Sequence, residues 1–298
     1  MVPHEPMPTI NEVRRFYADE VRAVARVHSP ALVEAFATVP REEFLGPGPW
    51  HIGHMSYSDL QRPGHLVYDT TEDADPRHIY HNVLVAIDAA RELNNGEPAS
   101  LARWLDALEL RAGDRVVHMG CGTGYYTAII APVVGPRGSV LAIEVDLELA
   151  ARAEASLARY RQVRVLQGDG TAYDPGPVDA IFANAGLTHP PAVWLDRVVD
   201  GGRLLIPLTT AIGGAAGSAG LMLKATRVGP ADFAARFVSP VGIFASIRGR
   251  DPELEGRLRM AIASGRWHEL RSLRRDAHAP HESCWLHGDG FCLSRTEV

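Results

Sequence analysis

The chain has 298 residues, 46% of them hydrophobic, with a formal net charge of -6 and a sequence pI near 6.1. That size and apolar content allow a large core, and the acidic balance leaves no basic surface to hold a phosphate backbone, which argues against a dedicated nucleic-acid binder. No apolar run reaches the ~20 residues of a membrane helix, residues 1–6 lack the order of a secretory signal, and three cysteines (Cys121, Cys284, Cys292) make no disulfide framework, so a cytoplasmic protein without membrane partners is expected.

Val13, Phe16, Val21, Val24, Val27, Leu32, Val33 and Phe36 recur at helical spacing and predict helix over residues 10–38, closed by Pro40. Residues 45–77 are rich in Gly, Pro, His and Asp and read as irregular. Ile79, Val83, Leu84, Ile87 and Ala90 predict a helix over 78–93, stopped by Asn94, Asn95 and Gly96, and Pro98 opens another through Leu110. From Asp114 the pattern alternates. Strands are expected at 115–119, 139–144, 163–167, 178–183 and 202–207, with helices at 125–134, 147–160 and 194–199. Strands alternating with helices predict an α/β fold with a doubly wound, mostly parallel sheet that binds its ligand at the carboxyl ends of the strands. Residues 213–220 read as a loop between antiparallel edge strands, 252–273 as one or two helices and 285–294 as a last strand.

The segment Met119-Gly-Cys-Gly-Thr-Gly-Tyr125 lies between the first of these strands and its helix. Gly120, Gly122 and Gly124 permit a sharp turn and close approach of backbone to a ligand, with Cys121 and Tyr125 in the same loop. Glu144, followed by Val145, ends the next strand, placed to accept hydrogen bonds from both hydroxyls of a ribose. Gly168, Asp169 and Gly170 follow the third strand, where the Asp169 carboxylate faces an adenine amino group, and Asn184 ends the fourth. A dinucleotide fold wants Gly-x-Gly-x-x-Gly, but Tyr125 stands at the third glycine position. With no phosphate-cradling set, the pattern fits S-adenosyl-L-methionine better than a dinucleotide.

On these motifs the sequence resembles class I S-adenosylmethionine-dependent methyltransferases, and more narrowly the protein-L-isoaspartate O-methyltransferase family. The resemblance covers about residues 10–245. It rests on Val39-Pro-Arg-Glu-Glu-Phe-Leu45, the glycine loop, Gly168-Asp-Gly170, Asp179-Ala-Ile181 and Gly201-Gly-Arg-Leu-Leu-Ile-Pro207. It implies a Rossmann-like sheet of about seven strands, with a helical and irregular N-terminal extension (1–98) shaping the acceptor pocket. It further implies a cofactor-binding core (99–245), a mixed C-terminal extension (246–298) packed on it, and S-adenosyl-L-homocysteine as product. The family's Gly-x-Thr-Ile-Ser-x-Pro stretch, whose hydroxyls lie close to the acceptor, corresponds here to Leu93-Asn-Asn-Gly-Glu-Pro98. Gly96 stands at the serine, and Asn95 and Asn94 at the isoleucine and threonine.

Asn95, Glu97 and His81 are therefore the candidate catalytic residues, with His78 and His189 as further possible bases. A carboxylate acceptor is already ionised at neutral pH and needs no base, whereas an alcohol, phenol or amine does. The absence of one obvious base favours a carboxylate in a peptide, protein or natural product. Two other functions stay open: a small-molecule O- or N-methyltransferase, and an S-adenosylmethionine-binding partner protein without catalysis. His281, Cys284, His287 and Cys292 have spacing that holds zinc only if all four converge. Strand alternation sends neighbours to opposite faces, so no metal site is expected and the segment reads as an edge strand with buried Cys and Trp285. The sequence carries no signal of oligomeric state.

Overall fold

The apolar runs after Asp114 assemble into one large sheet. The computed structural model describes residues 7–56, 65–211 and 217–298. Strands β5 (Arg115–Met119), β6 (Ser139–Glu144), β7 (Val163–Gln167), β8 (Val178–Ala183) and β9 (Val198–Ala211) lie in the order β7-β6-β5-β8-β9 and pair in parallel. Helices α4 (Tyr125–Val134), α5 (Leu147–Leu157) and α6 (Ala192–Arg197) connect them. The order reverses between β5 and β8, so the crevice above their carboxyl ends is where a ligand of such a sheet binds. Strand β6 buries Val140, Ala142 and Ile143, as a strand covered on both faces must.

Beyond β9 the sheet turns antiparallel through β10 (Gly217–Arg227) and β11 (Asp232–Phe244). It is completed by β12 (Ser272–Arg274), β14 (Phe291–Ser294) and β13 (Cys284–Gly288), giving ten strands. The last fifty residues thus extend the sheet with three strands and lay one helix over it. Helix α7 (Pro252–Ala263) packs against it through Leu254 and Leu258. The predicted helical stretch 252–273 contains α7, a short 3-10 turn and β12.

The N-terminal third departs further from expectation. Residues 10–38 form two helices, α1 (Ile10–Ala25) and α2 (Pro30–Thr38). Arg26 closes α1 in the left-handed conformation, and Ser29 caps α2 ahead of Pro30, which cannot continue a helix hydrogen-bond ladder. The stretch expected to be irregular contains β1 (His51–Ser56) and β2 (His65–Thr70), and the predicted helix over 78–93 instead contains β3 (Leu84–Asp88) and the first residue of β4 (Leu93–Asn94). These strands form a separate sheet in the order β2-β1-β3-β4. Helix α3 (Pro98–Ala107) follows.

Arg41 fixes this layer. Its guanidinium is fully buried and donates to the carbonyls of Ile79 (2.6 Å), His81 (3.1 Å) and Val83 (2.8 Å), fixing the bent segment that leads into β3. A buried cation costs stability unless it is compensated; three carbonyls take the terminal nitrogens and the faces of Tyr17 and Tyr125 flank the group, while Nε has no partner among the described residues. Among the described residues no helix is long and apolar enough to cross a membrane.

Candidate active site

Gly122 and Glu144 define the floor of the site. Gly122 sits at φ +56°, and a Cβ built there would meet only Ile87 Cδ1, at 3.7 Å, so the turn faces open space. The Gly122 N–H donates to Glu144 Oε2 at 2.8 Å, and the other carboxylate oxygen accepts from Val145 N (2.9 Å) and Asp146 N (3.1 Å). Burial pushes the Glu144 carboxyl above the usual carboxylate range, while these three backbone donors oppose that shift. Oε2, with one donor, keeps lone-pair capacity for a ligand hydroxyl.

Asp169 lies beside this floor. Its Oδ1 accepts from Thr171 N (2.9 Å) and Thr171 Oγ1 (2.6 Å), and Oδ2 has no partner among the described residues. The turn thus orients the carboxylate and leaves one oxygen for an amino group.

A cavity of about 780 Å³ opens over these residues. Gly120, Gly122, Glu144, Val145, Gly168, Asp169, Gly170 and Asn184 line it, so most of the predicted cofactor set converges. The other cofactor candidates lie behind the wall. Cys121 is buried within the turn, and Gly124 faces Leu157, whose Cδ1 lies 2.7 Å from a Cβ built there. Tyr125 is 1% exposed, with its hydroxyl 3.3 Å from that of Tyr17, and fastens α1 to α4.

The acceptor candidates divide similarly. Glu97 lines the cavity, held by Ser100 Oγ (2.5 Å) and Asn82 Nδ2 (3.3 Å). Asn95 is outside the lining: it is buried, and its N–H donates to Val85 O at 2.8 Å. His81 is exposed, engaged through its carbonyl by Arg41, and also outside the lining. His78 pairs with Asp73 at 2.9 Å, and His189 stacks near Phe291; neither lines the cavity.

Asn94 takes the place expected of Asn95, because neighbours on an extended segment point to opposite sides. Gly96 is at φ +77°, with a built Cβ 2.8 Å from Leu101 Cδ2, so the loop follows a path that a serine would strain.

Sequence reading missed the rest of the wall. Arg91 joins the β3–β4 turn to the start of α5 by pairing with Asp88 and Asp146 at the cavity rim. Trp104 Nε1 donates to Ser239 Oγ at 2.9 Å, tying α3 to β11, and residues 240–248 close the far side, ending in exposed Arg248. No local motif marks residues 240–248, which reach the cavity only through sheet pairing.

The residues present suit an adenosyl group. A carboxylate waits at the end of β6, a free acidic oxygen at Asp169, and the Gly122 N–H is already taken by Glu144 instead of being open to a phosphate.

Comparison with known proteins agrees. The family model described as Protein-L-isoaspartate(D-aspartate) O-methyltransferase matches residues 72–216. A protein-L-isoaspartate O-methyltransferase of Ignicoccus hospitalis is 32% identical over 203 residues, covering 67% of this chain and 83% of that protein. The chain belongs to the protein-L-isoaspartate O-methyltransferase family. A second relative, from Pelobacter propionicus, is 30% identical over 224 residues, covering 72% of this chain and 84% of its own.

Two solved structures share the fold. One protein-L-isoaspartate O-methyltransferase has a TM-score of 0.60 at 20% identity, covering 85% of this chain and 70% of its own. A Plasmodium falciparum protein of the same description, solved with S-adenosyl-L-homocysteine, has a TM-score of 0.57 at 14% identity, covering 79% of this chain and 98% of its own. The family's cofactor is S-adenosylmethionine, and membership in it favours the enzymatic reading over the non-catalytic one.

Proposed function

We propose that the chain esterifies a carboxylate of a peptide or protein, the isoaspartyl type named in its relatives being the first acceptor to test. One observation carries this reading: among the described residues that line the cavity there is no histidine, lysine, cysteine or tyrosine, and Glu97, the lining carboxylate not engaged with the cofactor floor or with Arg91, is already taken up by Ser100 Oγ and Asn82 Nδ2. Transfer to an alcohol, phenol or amine needs a base within reach, whereas a carboxylate arrives ionised.

S-adenosylmethionine, when bound, supplies a methyl group on a sulfonium. Glu144 and Asp169 hold the adenosyl part, and Glu97 offers a carboxylate to an ammonium. Arg248 has no carboxylate partner among the described residues and offers a cation to the acceptor. Leu84, Ile87, Leu101, Trp104, Ile143, Val241 and Ile243 supply apolar wall that excludes water. Alignment of the two reactants in such a space can contribute several kcal/mol to the barrier reduction.

The test is incubation with methyl-labelled cofactor and matched isoaspartyl and aspartyl peptides, followed by mild base. The reading expects label on the isoaspartyl peptide that is released as methanol. Label that survives base points to N- or ether O-methylation and refutes the carboxylate assignment.

A further inference from the structure

We infer that the C-terminal hairpin carries a closed zinc site formed by His278, Cys284, His287 and Cys292. One nitrogen or sulfur from each of the four lies within 4.8 Å of the others. A tetrahedral centre with Zn–S of about 2.3 Å and Zn–N of about 2.0–2.1 Å sets its ligand atoms roughly 3.3–3.8 Å apart, so a contraction of about an ångström or less suffices. The Cys284 Sγ to His278 Nε2 separation is already 3.5 Å.

The register explains the convergence. His287 and Cys292 are direct partners across β13 and β14, and Cys284 stands opposite Ser294. Cys292 and Ser294, two apart on β14, share a face. Cys284 and His287 are separated by an odd number of positions and would face opposite ways on a regular strand. The register shift between Cys284 and Leu286 inserts Trp285 as an extra residue and brings both to the same face. This is the step that strand alternation conceals in the sequence.

The fourth ligand is His278, where spacing had suggested His281. His278 lies in the loop between β12 and β13, and its Nδ1 is 3.0 Å from the Asp276 carbonyl and 3.1 Å from the Asp276 carboxylate. A ring that donates from Nδ1 keeps Nε2 unprotonated and facing Cys284, the orientation in which outer hydrogen bonds hold metal-ligating histidines. His281 instead accepts from Ser283. The His287 ring lies 4.8 Å from that of His278, and its Nδ1 is buried with no partner among the described residues. Arg274, paired with Cys292 across β12 and β14, places a fixed positive charge beside the Cys292 thiol. Its Nη2 meets His278 Nε2 at 3.4 Å, a long contact that a metal would replace.

Two thiolates and two imidazoles in tetrahedral array select zinc among abundant divalent ions, and four protein ligands leave no position for substrate. None of the four lines the methyl-transfer cavity. The role is therefore structural, pinning the irregular loop to the hairpin at the end of the large sheet.

The experiment uses the full chain, purified reduced from zinc-supplemented medium. Elemental analysis is expected to find roughly one zinc per chain. Replacing the zinc with cobalt is expected to give the intense visible bands of a tetrahedral ion together with sulfur-to-metal charge transfer. His278→Ala, Cys284→Ser and Cys292→Ser are each expected to lose the metal, and His281→Ala to keep it. The two histidine variants change loop residues only, so their comparison stands even if a cysteine variant misfolds. The inference is overturned by a reduced protein that takes up no zinc, by an octahedral cobalt spectrum, by metal loss in His281→Ala but not His278→Ala, or by a Cys284–Cys292 disulfide in the freshly purified chain.

Discussion

His118 makes the fold sensitive to mild acid. The side chain is fully buried on β5, its ring stacked on Phe182 at 5.1 Å, with Nδ1 2.8 Å from Thr127 Oγ1 and Nε2 without a partner. Burial lowers its pKa from 6.5 to about 3. Between those values the unfolded chain binds a proton that the native chain refuses, so the stability contributed by neutral His118 is complete above pH 6.5 and is lost as the pH falls. At pH 5 the imidazole is 1.5 units below its unfolded value, and at about 1.4 kcal/mol per unit the native state loses about 2 kcal/mol there from this group. Urea unfolding of the wild type and His118→Asn, which keeps a polar group toward Thr127, gives the measurement. Other titrating groups contribute equally to both proteins. The wild type is expected to lose about 2 kcal/mol more than the variant between pH 7.5 and pH 5. Equal losses would refute the assignment of a neutral, dry imidazole to this position.

Two further predictions concern the site. Glu144→Gln is expected to weaken S-adenosylhomocysteine binding by about 2–3 kcal/mol, roughly 30- to 150-fold, measured by titration calorimetry. Because burial raises the Glu144 carboxyl, wild-type affinity is expected to fall with pH sooner than an ordinary glutamate would dictate, and the Gln variant to lack that arm; unchanged affinity would remove Glu144 from the site. Gly96→Ser, which restores the family's hydroxyl, is expected to cost about 1–2 kcal/mol by urea unfolding, since the residue is left-handed and its Cβ meets Leu101; undiminished stability would show that the loop readily takes another path.

The sequence was most informative where structure is local or fully buried. Strands β5 through β8 match their predicted bounds: β5, β6 and β8 are buried interior parallel strands that read as apolar runs, and the half-exposed edge strand β7 is marked by its three apolar residues and the Gly168-Asp-Gly170 turn that ends it. The N-terminal sheet escaped because Val83, Leu84 and Ile87 suit either period, and short apolar runs do not distinguish helix from strand. What decides for strand is distant: Ile52 pairs with Val85, and Arg41 binds the carbonyls on the way in. The cofactor floor was legible from glycine and acid spacing. Much of the acceptor wall was not, since residues 240–248 carry no spacing signal and are delivered by the register of β11 on β10.

Arg41 belongs to the Val39–Leu45 segment that helped to mark the family, yet it touches neither cofactor floor nor acceptor wall. It acts as a keystone, holding up the backbone from which β3 and the 93–97 loop hang. A hallmark of this kind records how the vault is raised, not what passes beneath it. Descendants can therefore retain the badge of the lineage while exchanging the clientele of the chamber, and the Asn94–Glu97 loop is where such an exchange would be inscribed.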